Sequence, residues 1–99
     1  MYGYMSDRFH SFRTLNGCRK ALRSPRLFEG DAEFEIVRYS GKHIPTGYQK
    51  GDVSIGFVFQ DVSDPKVICY RPYPRKSYEM AYPIKADGSL DKKNGYEIF

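Results

Sequence analysis

One stretch of this chain has the periodicity of an α-helix, and most of the residues after it alternate as β-strands do. Apolar residues between positions 11 and 23 fall on one helical face, which is made of Leu15, Cys18, Ala21 and Leu22. Ser11 is a suitable N-cap, and Pro25 ends the helix because it restricts the backbone of Ser24. We therefore predict one amphipathic helix over residues 11–23.

From residue 32 onward the hydrophobic period changes to two. The segment 32–41 places Phe34 and Ile36 on one face and Glu33 and Glu35 on the other, as in a strand with one solvated face. The further predicted strands are 53–62, 66–72, 78–85 and 96–99. Turn residues such as Gly, Pro, Asn and Asp separate these segments.

This order of elements predicts an α+β fold, with one N-terminal amphipathic helix packed on a four- or five-stranded, mainly antiparallel sheet. The alternative is a small, partly closed β-barrel with an N-terminal helix. The length of 99 residues predicts a single small globular domain over residues 1–99. Residues 1–10 either dock their aromatic side chains on the core or remain flexible.

The net charge of +4 is unevenly distributed along the sequence. Lys and Arg outnumber Asp and Glu by six to two in residues 1–30 and by seven to four in residues 65–99, whereas residues 31–64 have three basic and six acidic side chains. Basic termini of this kind fit a partner that is nucleic acid or an acidic protein. They also fit a charge that serves solubility alone.

The cysteine content and the N-terminal residues predict a soluble, cytoplasmic protein. Two cysteines, Cys18 and Cys69, are too few for the disulfide framework of a small secreted domain, although a single bond between them stays open. The first residues lack the apolar run of a signal peptide. Since no segment approaches the length of a membrane span, we expect no membrane partner.

The predicted helix carries a cluster of cations on the face opposite its apolar residues. Arg13, Lys20 and Arg23 share this face, with Arg19 and Arg26 beside it. Lys and Arg side chains that contact phosphates supply most of the sequence-independent affinity for nucleic acid. The alternatives are a solvated outer helix face and a patch neutralised by the nearby acidic residues, which are Glu29, Asp31, Glu33 and Glu35.

A second candidate surface is the segment 70–78, in which tyrosines and cations alternate. Its candidate binding residues are Tyr70, Arg71, Tyr73, Arg75, Lys76 and Tyr78. Tyrosine rings and guanidinium planes stack on single-stranded bases, and the same residue types are favoured anchors in protein interfaces. Tyr48 and Tyr82 are further candidates for a protein interface. In a third interpretation, most of these tyrosines lie at the edge of the core.

The residues that catalysis or metal binding would need are sparse. His10 and His43 are the only histidines, and the cysteines and histidines lack the paired spacing of a zinc site. We expect no metal and no cofactor. A small basic endoribonuclease using Lys42 and His43 remains a minor alternative.

The leading prediction is therefore a non-enzymatic binding module. It would engage nucleic acid, or a protein that handles nucleic acid, through a basic and tyrosine-rich surface. The alternative is a small protein-binding inhibitor or adaptor, of the type that viruses and mobile elements encode, which acts by steric occlusion.

Overall fold

The computed structural model describes residues 1–28, 33–40, 42, 52–73 and 79–98. Within these residues a seven-stranded antiparallel sheet packs against one α-helix. The elements are β1 (Tyr2–Met5), β2 (Phe9–Phe12), α1 (Leu15–Ala21), β3 (Glu33–Arg38), β4 (Val53–Gln60), β5 (Ile68–Pro72), β6 (Glu79–Pro83) and β7 (Tyr96–Ile98). Short 3₁₀ turns span Pro25–Phe28 and Lys92–Asn94.

The strand order is β2-β1-β3-β4-β5-β6-β7, and the sheet is open. Since β1 lies between β2 and β3, the chain must cross over β1 to reach β3, and α1 lies in this connection. From β3 to β7 each strand pairs with the next along the chain. The α+β prediction is confirmed, the predicted number of strands was too low, and the barrel alternative is wrong.

The first residues of the chain form a β-hairpin from β1 and β2, in which Tyr4 is opposite His10. Tyr4 is only 6% exposed and belongs to the core, so these residues dock on the domain. The strands have four residues each, which is too short for a clear alternation. Gly3 suits this hairpin because a Cβ there would lie 2.3 Å from the ring of Phe9.

The helix is shorter than the sequence pattern indicated. Ser11 belongs to β2, and Thr14 is the N-cap, with its hydroxyl accepting a hydrogen bond from the backbone N–H of Gly17 at 3.0 Å. The prediction of Ser11 as N-cap was wrong because pairing with β1 holds residues 9–12 in an extended conformation. Leu22 is the C-cap, close to the end that Pro25 predicts.

The helix side of the sheet holds the main core. Its buried members are Tyr4, Cys18, Leu22, Phe28, Ile36, Val58, Ile68, Tyr70 and Ile84. Tyr70 pairs with Val58 on one neighbouring strand and with Tyr82 on the other, so these side chains form one row. The ring of Tyr70 lies over Gly56, where a Cβ would be 2.2 Å from its hydroxyl oxygen.

Strand alternation places a second set of side chains on the other side of β3–β5. This surface, here called the open face, comprises Glu33, Glu35, Phe57, Phe59, Arg71 and Tyr73. The α1 helix and the Pro25–Phe28 turn contribute Leu22 and Phe28 to the core on the opposite side. Neither of these two elements therefore covers the open face.

A substitution at Gly88 tests how closely α1 approaches the connection between β6 and β7. The φ of Gly88 is +89°, and a Cβ there would lie 1.9 Å from the carbonyl oxygen of Asn16. We expect Gly88→Ala to lower the free energy of unfolding by about 1–3 kcal/mol, because both the backbone and the contact become strained. Urea unfolding followed by circular dichroism measures this. Val62→Ala, at a residue that is 97% exposed, is the control, and equal stability of the two variants would contradict the contact.

Candidate nucleic-acid interface

Arg19 fastens the helix to the rest of the domain. Its Nε–H donates to the carbonyl oxygen of Gly88 at 2.8 Å, and a second nitrogen donates to the side-chain oxygen of Asn16. The guanidinium carbon lies 4.9 Å from the ring centre of Tyr70, within the range of a cation–π interaction. The residue is 7% exposed, and burial lowers its pKa from the ordinary value.

The prediction that Arg19 belongs to the surface patch of cations was therefore wrong. The carbonyl of Gly88, the amide of Asn16 and the ring of Tyr70 replace the water that its guanidinium would otherwise bind. Arg23 has a mixed role. Its Nε–H donates to the carbonyl oxygen of Ile84 at 2.9 Å, while the residue as a whole stays exposed.

The other predicted cations of the helix region lie at the surface. Arg13, Lys20 and Arg26 are exposed, and within the described residues none of them forms an ion pair. Arg38 is a residue that the sequence analysis missed. It is exposed and lies opposite Tyr2 on the helix side, and the two-residue alternation that places Ile36 on that side would have found it.

The exposed cations in and beside α1, together with Arg38, are here called the helix-side basic surface, which comprises Arg13, Lys20, Arg23, Arg26 and Arg38. Only Lys20 lies within α1 (Leu15–Ala21), so the prediction that Arg13 and Arg23 share a helical face with it was wrong. The carboxylates of β3 do not neutralise this basic surface, since both lie on the open face. Glu33 accepts hydrogen bonds from Arg71 at 3.2 Å, and Glu35 accepts one from the hydroxyl of Ser54 at 2.9 Å. The other two acidic residues near the helix in sequence, Glu29 and Asp31, lie outside the described residues.

Two aspartates follow β6, and both bind polar groups of their own turns. Asp87 accepts hydrogen bonds from the hydroxyl and the backbone N–H of Ser89 at 2.6 and 3.0 Å. The hydroxyl contributes most to lowering the pKa of Asp87. Asp91 accepts from the side-chain amide of Asn94 at 2.7 Å, which holds its pKa below the usual range. These carboxylates therefore act as turn-forming groups.

The segment 70–78 does not form one continuous surface. Tyr70 is 3% exposed in the helix-side core, where its hydroxyl donates to the carbonyl oxygen of Ile55 at 2.7 Å. Arg71, the next residue, points to the open face and is 9% exposed. The prediction of Tyr70 and Arg71 as surface contacts was wrong, because consecutive strand residues point to opposite sides and both of these are covered.

Arg71 and Tyr73 flank the ring of Phe57 on the open face. The guanidinium carbon of Arg71 lies 4.2 Å from the Phe57 ring centre, and Tyr73 makes an edge-on contact at 6.4 Å between centroids. Tyr73 is 49% exposed. Tyr82 is half-buried, next to Tyr70 on the helix side. The remaining predicted residues, Arg75, Lys76, Tyr78 and Tyr48, lie outside the described residues.

A Ser, an Asp and a His meet in the β1–β2 hairpin, but their geometry is not that of a catalytic triad. The Ser6 hydroxyl donates to Asp7 at 2.8 Å and lies 3.2 Å from Nε2 of His10. In a triad, the carboxylate accepts from the other ring nitrogen of the histidine, whereas here Asp7 lies 3.9 Å from the same Nε2. His43 of the ribonuclease alternative lies outside the described residues.

Both cysteines are free and buried, so the bond that the sequence left open is absent. Burial raises the pKa of the Cys18 thiol to about 12. Burial also raises the pKa of Cys69. A buried thiol with a raised pKa is a poor nucleophile, so these residues act as small apolar groups of the core.

Comparisons of this chain with protein-family models, with curated proteins and with solved structures give no match. In the described part of the chain, no helix has both the length and the apolar character needed to cross a membrane. No group of three or more His, Cys, Asp or Glu side chains among the described residues could hold a metal ion.

The role of Arg19 as an anchor can be tested by exchanging lysine and arginine at two adjacent positions. Arg19→Lys keeps the charge but loses the planar fork that reaches Gly88 and Asn16. We expect the free energy of unfolding to fall by about 1–3 kcal/mol. Lys20→Arg, at an exposed residue, should change it by less than about 0.5 kcal/mol. Equal effects in urea unfolding would show that Arg19 is not an anchor.

The raised pKa of Cys18 predicts a loss of stability in alkali. In the unfolded chain the Cys18 thiol ionises near its ordinary pKa of 9.0, whereas burial in the folded protein raises this pKa to about 12. The contribution of the neutral, buried Cys18 thiol to the free energy of unfolding is therefore complete below about pH 9 and is lost as the pH rises towards 12. We expect the urea midpoint to fall between pH 9 and 11, and to fall less steeply in Cys18→Ala. Identical pH dependence of the two proteins would refute this assignment.

Proposed function

We propose that this protein is a non-enzymatic module that binds nucleic acid by contacting phosphates with the helix-side basic surface. The observation that carries the proposal is a separation of charge. Arg13, Lys20 and Arg26 are exposed and, in the part of the chain that the structure describes, have no ion-pair partner. The β3 carboxylates Glu33 and Glu35 lie on the other side of the sheet.

The physical basis of binding is the release of counterions. Each cation that neutralises a phosphate frees condensed ions from the nucleic acid, so affinity falls steeply as salt is added. The anchoring of α1 through Arg19 and Arg23 supports the proposal, because cations on a fixed element lose less conformational entropy on binding. Arg23 as a whole stays exposed, whereas Arg19, at 7% exposure, contributes only through its position.

The mode of binding that we propose depends little on base sequence. Stacking of bases on Tyr70 would require the ring to leave the core, where it lies over Gly56 and beneath Arg19. Without that ring, contacts to the phosphate backbone dominate, and these position a protein without reading the bases. We therefore expect similar affinities for oligonucleotides of different sequence.

A protein-binding inhibitor or adaptor is the second candidate function. The observation that favours it is the open face, where Tyr73 is 49% exposed and packs against a half-buried Phe57. Aromatic residues beside an arginine are common anchors in protein interfaces. Because this surface lies on the opposite side from the helix-side basic surface, the two functions are compatible in one molecule.

Removal of three cations from the helix region tests the leading function. The triple variant Arg13→Ser, Lys20→Ser and Arg26→Ser is compared with a control that also loses three cations, Lys66→Ser, Lys92→Ser and Lys93→Ser. All six residues are exposed. If each of the first three contacts a phosphate of duplex DNA, the slope of log affinity against log salt should become shallower by about 2.7. The control should keep the wild-type slope.

Fluorescence anisotropy with labelled single- and double-stranded oligonucleotides, across a salt series, measures these slopes. Equal losses in the two triple variants would show that net charge alone, rather than the helix-side basic surface, governs binding. No binding by the wild-type protein at low salt would reject direct contact with nucleic acid. Protein binding through the open face would then be the function that the structure favours.

A further inference from the structure

The open face presents aromatic surface that a folded domain normally covers. Phe57 and Phe59 are half-buried neighbours on β4, and Tyr73 leaves 49% of its surface exposed. Arg71 and Tyr73 hold the Phe57 ring on two sides, so the ring has a fixed position. A rigid aromatic group with exposed area contributes to binding at a low cost in conformational entropy.

The described charged residues of the open face have a net negative charge, opposite in sign to that of the whole protein. Glu33 and Glu35 lie in one row on β3, and the Glu33 side chain is 46% exposed despite its ion pair with Arg71. Asp61 directly follows β4, where its backbone N–H donates to the carbonyl oxygen of Val67 at 2.9 Å, and the two-residue alternation of the strand places it on the same side as Phe57 and Phe59. Among the residues that the structure describes, three carboxylates therefore accompany one guanidinium here, on a chain with a net charge of +4.

We infer that the open face is a docking surface for a basic segment of a partner protein. Arginine or lysine side chains of such a segment would meet Glu33 and Glu35, and its apolar side chains would cover Phe57 and Tyr73. The charge complementarity that favours a basic partner also opposes nucleic acid, because carboxylates repel phosphates. It opposes a face-to-face dimer as well, since the excess of carboxylates on one copy would repel that on the other.

This inference goes beyond the proposed function and does not depend on it, because the two surfaces lie on opposite sides of the sheet. A protein that uses both would hold nucleic acid on the helix side and a basic partner on the open face. Basic segments are common in proteins that themselves bind nucleic acid. The chain would then act as a bridge between a nucleic acid and a protein that handles it.

The test uses two labelled peptides of twelve residues, one alternating arginine with leucine and the other alternating glutamine with leucine. We expect the arginine peptide to bind, with an affinity that falls as salt is added, and the uncharged glutamine peptide to bind at least tenfold more weakly. The double variant Tyr73→Ser and Glu35→Gln should weaken binding by about tenfold or more. Its fold should persist, since Tyr73 is exposed and glutamine keeps an acceptor for Ser54, and thermal unfolding checks this.

The matched control is the triple variant of the helix region, which should bind the arginine peptide as the wild-type protein does. The double variant should in turn keep its affinity for oligonucleotides, so failure of one proposal leaves the other measurable. Equal binding of both peptides, or unchanged binding by the double variant, would overturn the inference. A concentration-dependent dimer that is lost in Tyr73→Ser would also overturn it, in favour of a second copy as the occupant.

Discussion

The buried guanidinium of Arg19 is the interaction on which the arrangement of this domain depends. It joins α1 to the β6–β7 connection through Gly88 and to β5 through the ring of Tyr70. Gly88 is 69 residues away along the chain, so the contact closes a long loop. A buried charge without these acceptors would destabilise the fold by several kcal/mol. The same contact fixes the helix on the sheet, and with it the cations around it.

The sheet separates two surfaces of opposite character. Alternation along β3 turns Glu33 and Glu35 to the open face, while Arg38 joins the helix side. Among the described residues, the helix-side basic surface and the β3 carboxylates therefore lie on opposite sides of the sheet. A protein with its charges mixed over one surface would attract neither nucleic acid nor a basic partner strongly. This separation underlies both the proposed function and the proposed docking surface.

Local patterns predicted some elements and missed others for identifiable reasons. The alternation of β3 was clear because this strand has six residues and one buried side, whereas a register shift opposite Ile36 and Val37 interrupts the alternation of the eight-residue β4. The β1–β2 hairpin gave no such signal, since Gly3 and two short strands break the pattern. Thr14, rather than Ser11, caps the helix because Ser11 lies in β2, where it pairs with Gly3 of β1. The local sequence reports only the neighbours of a residue along the chain, whereas whether the residue joins a strand also depends on its partner across the sheet.

The sequence by itself determined the α+β class, the end of the helix before Pro25 and the sides on which the β3 residues lie. These properties depend on periods of 3.6 and two residues and on the fixed backbone of proline. Only the tertiary structure decided which cations and tyrosines reach the surface. Arg19 and Lys20 are neighbours of similar chemistry, yet one is buried and the other exposed, because carbonyl and aromatic partners from distant strands lie within reach of only one. Whether a charge is a binding group or an anchor depends on such partners, which no local pattern contains.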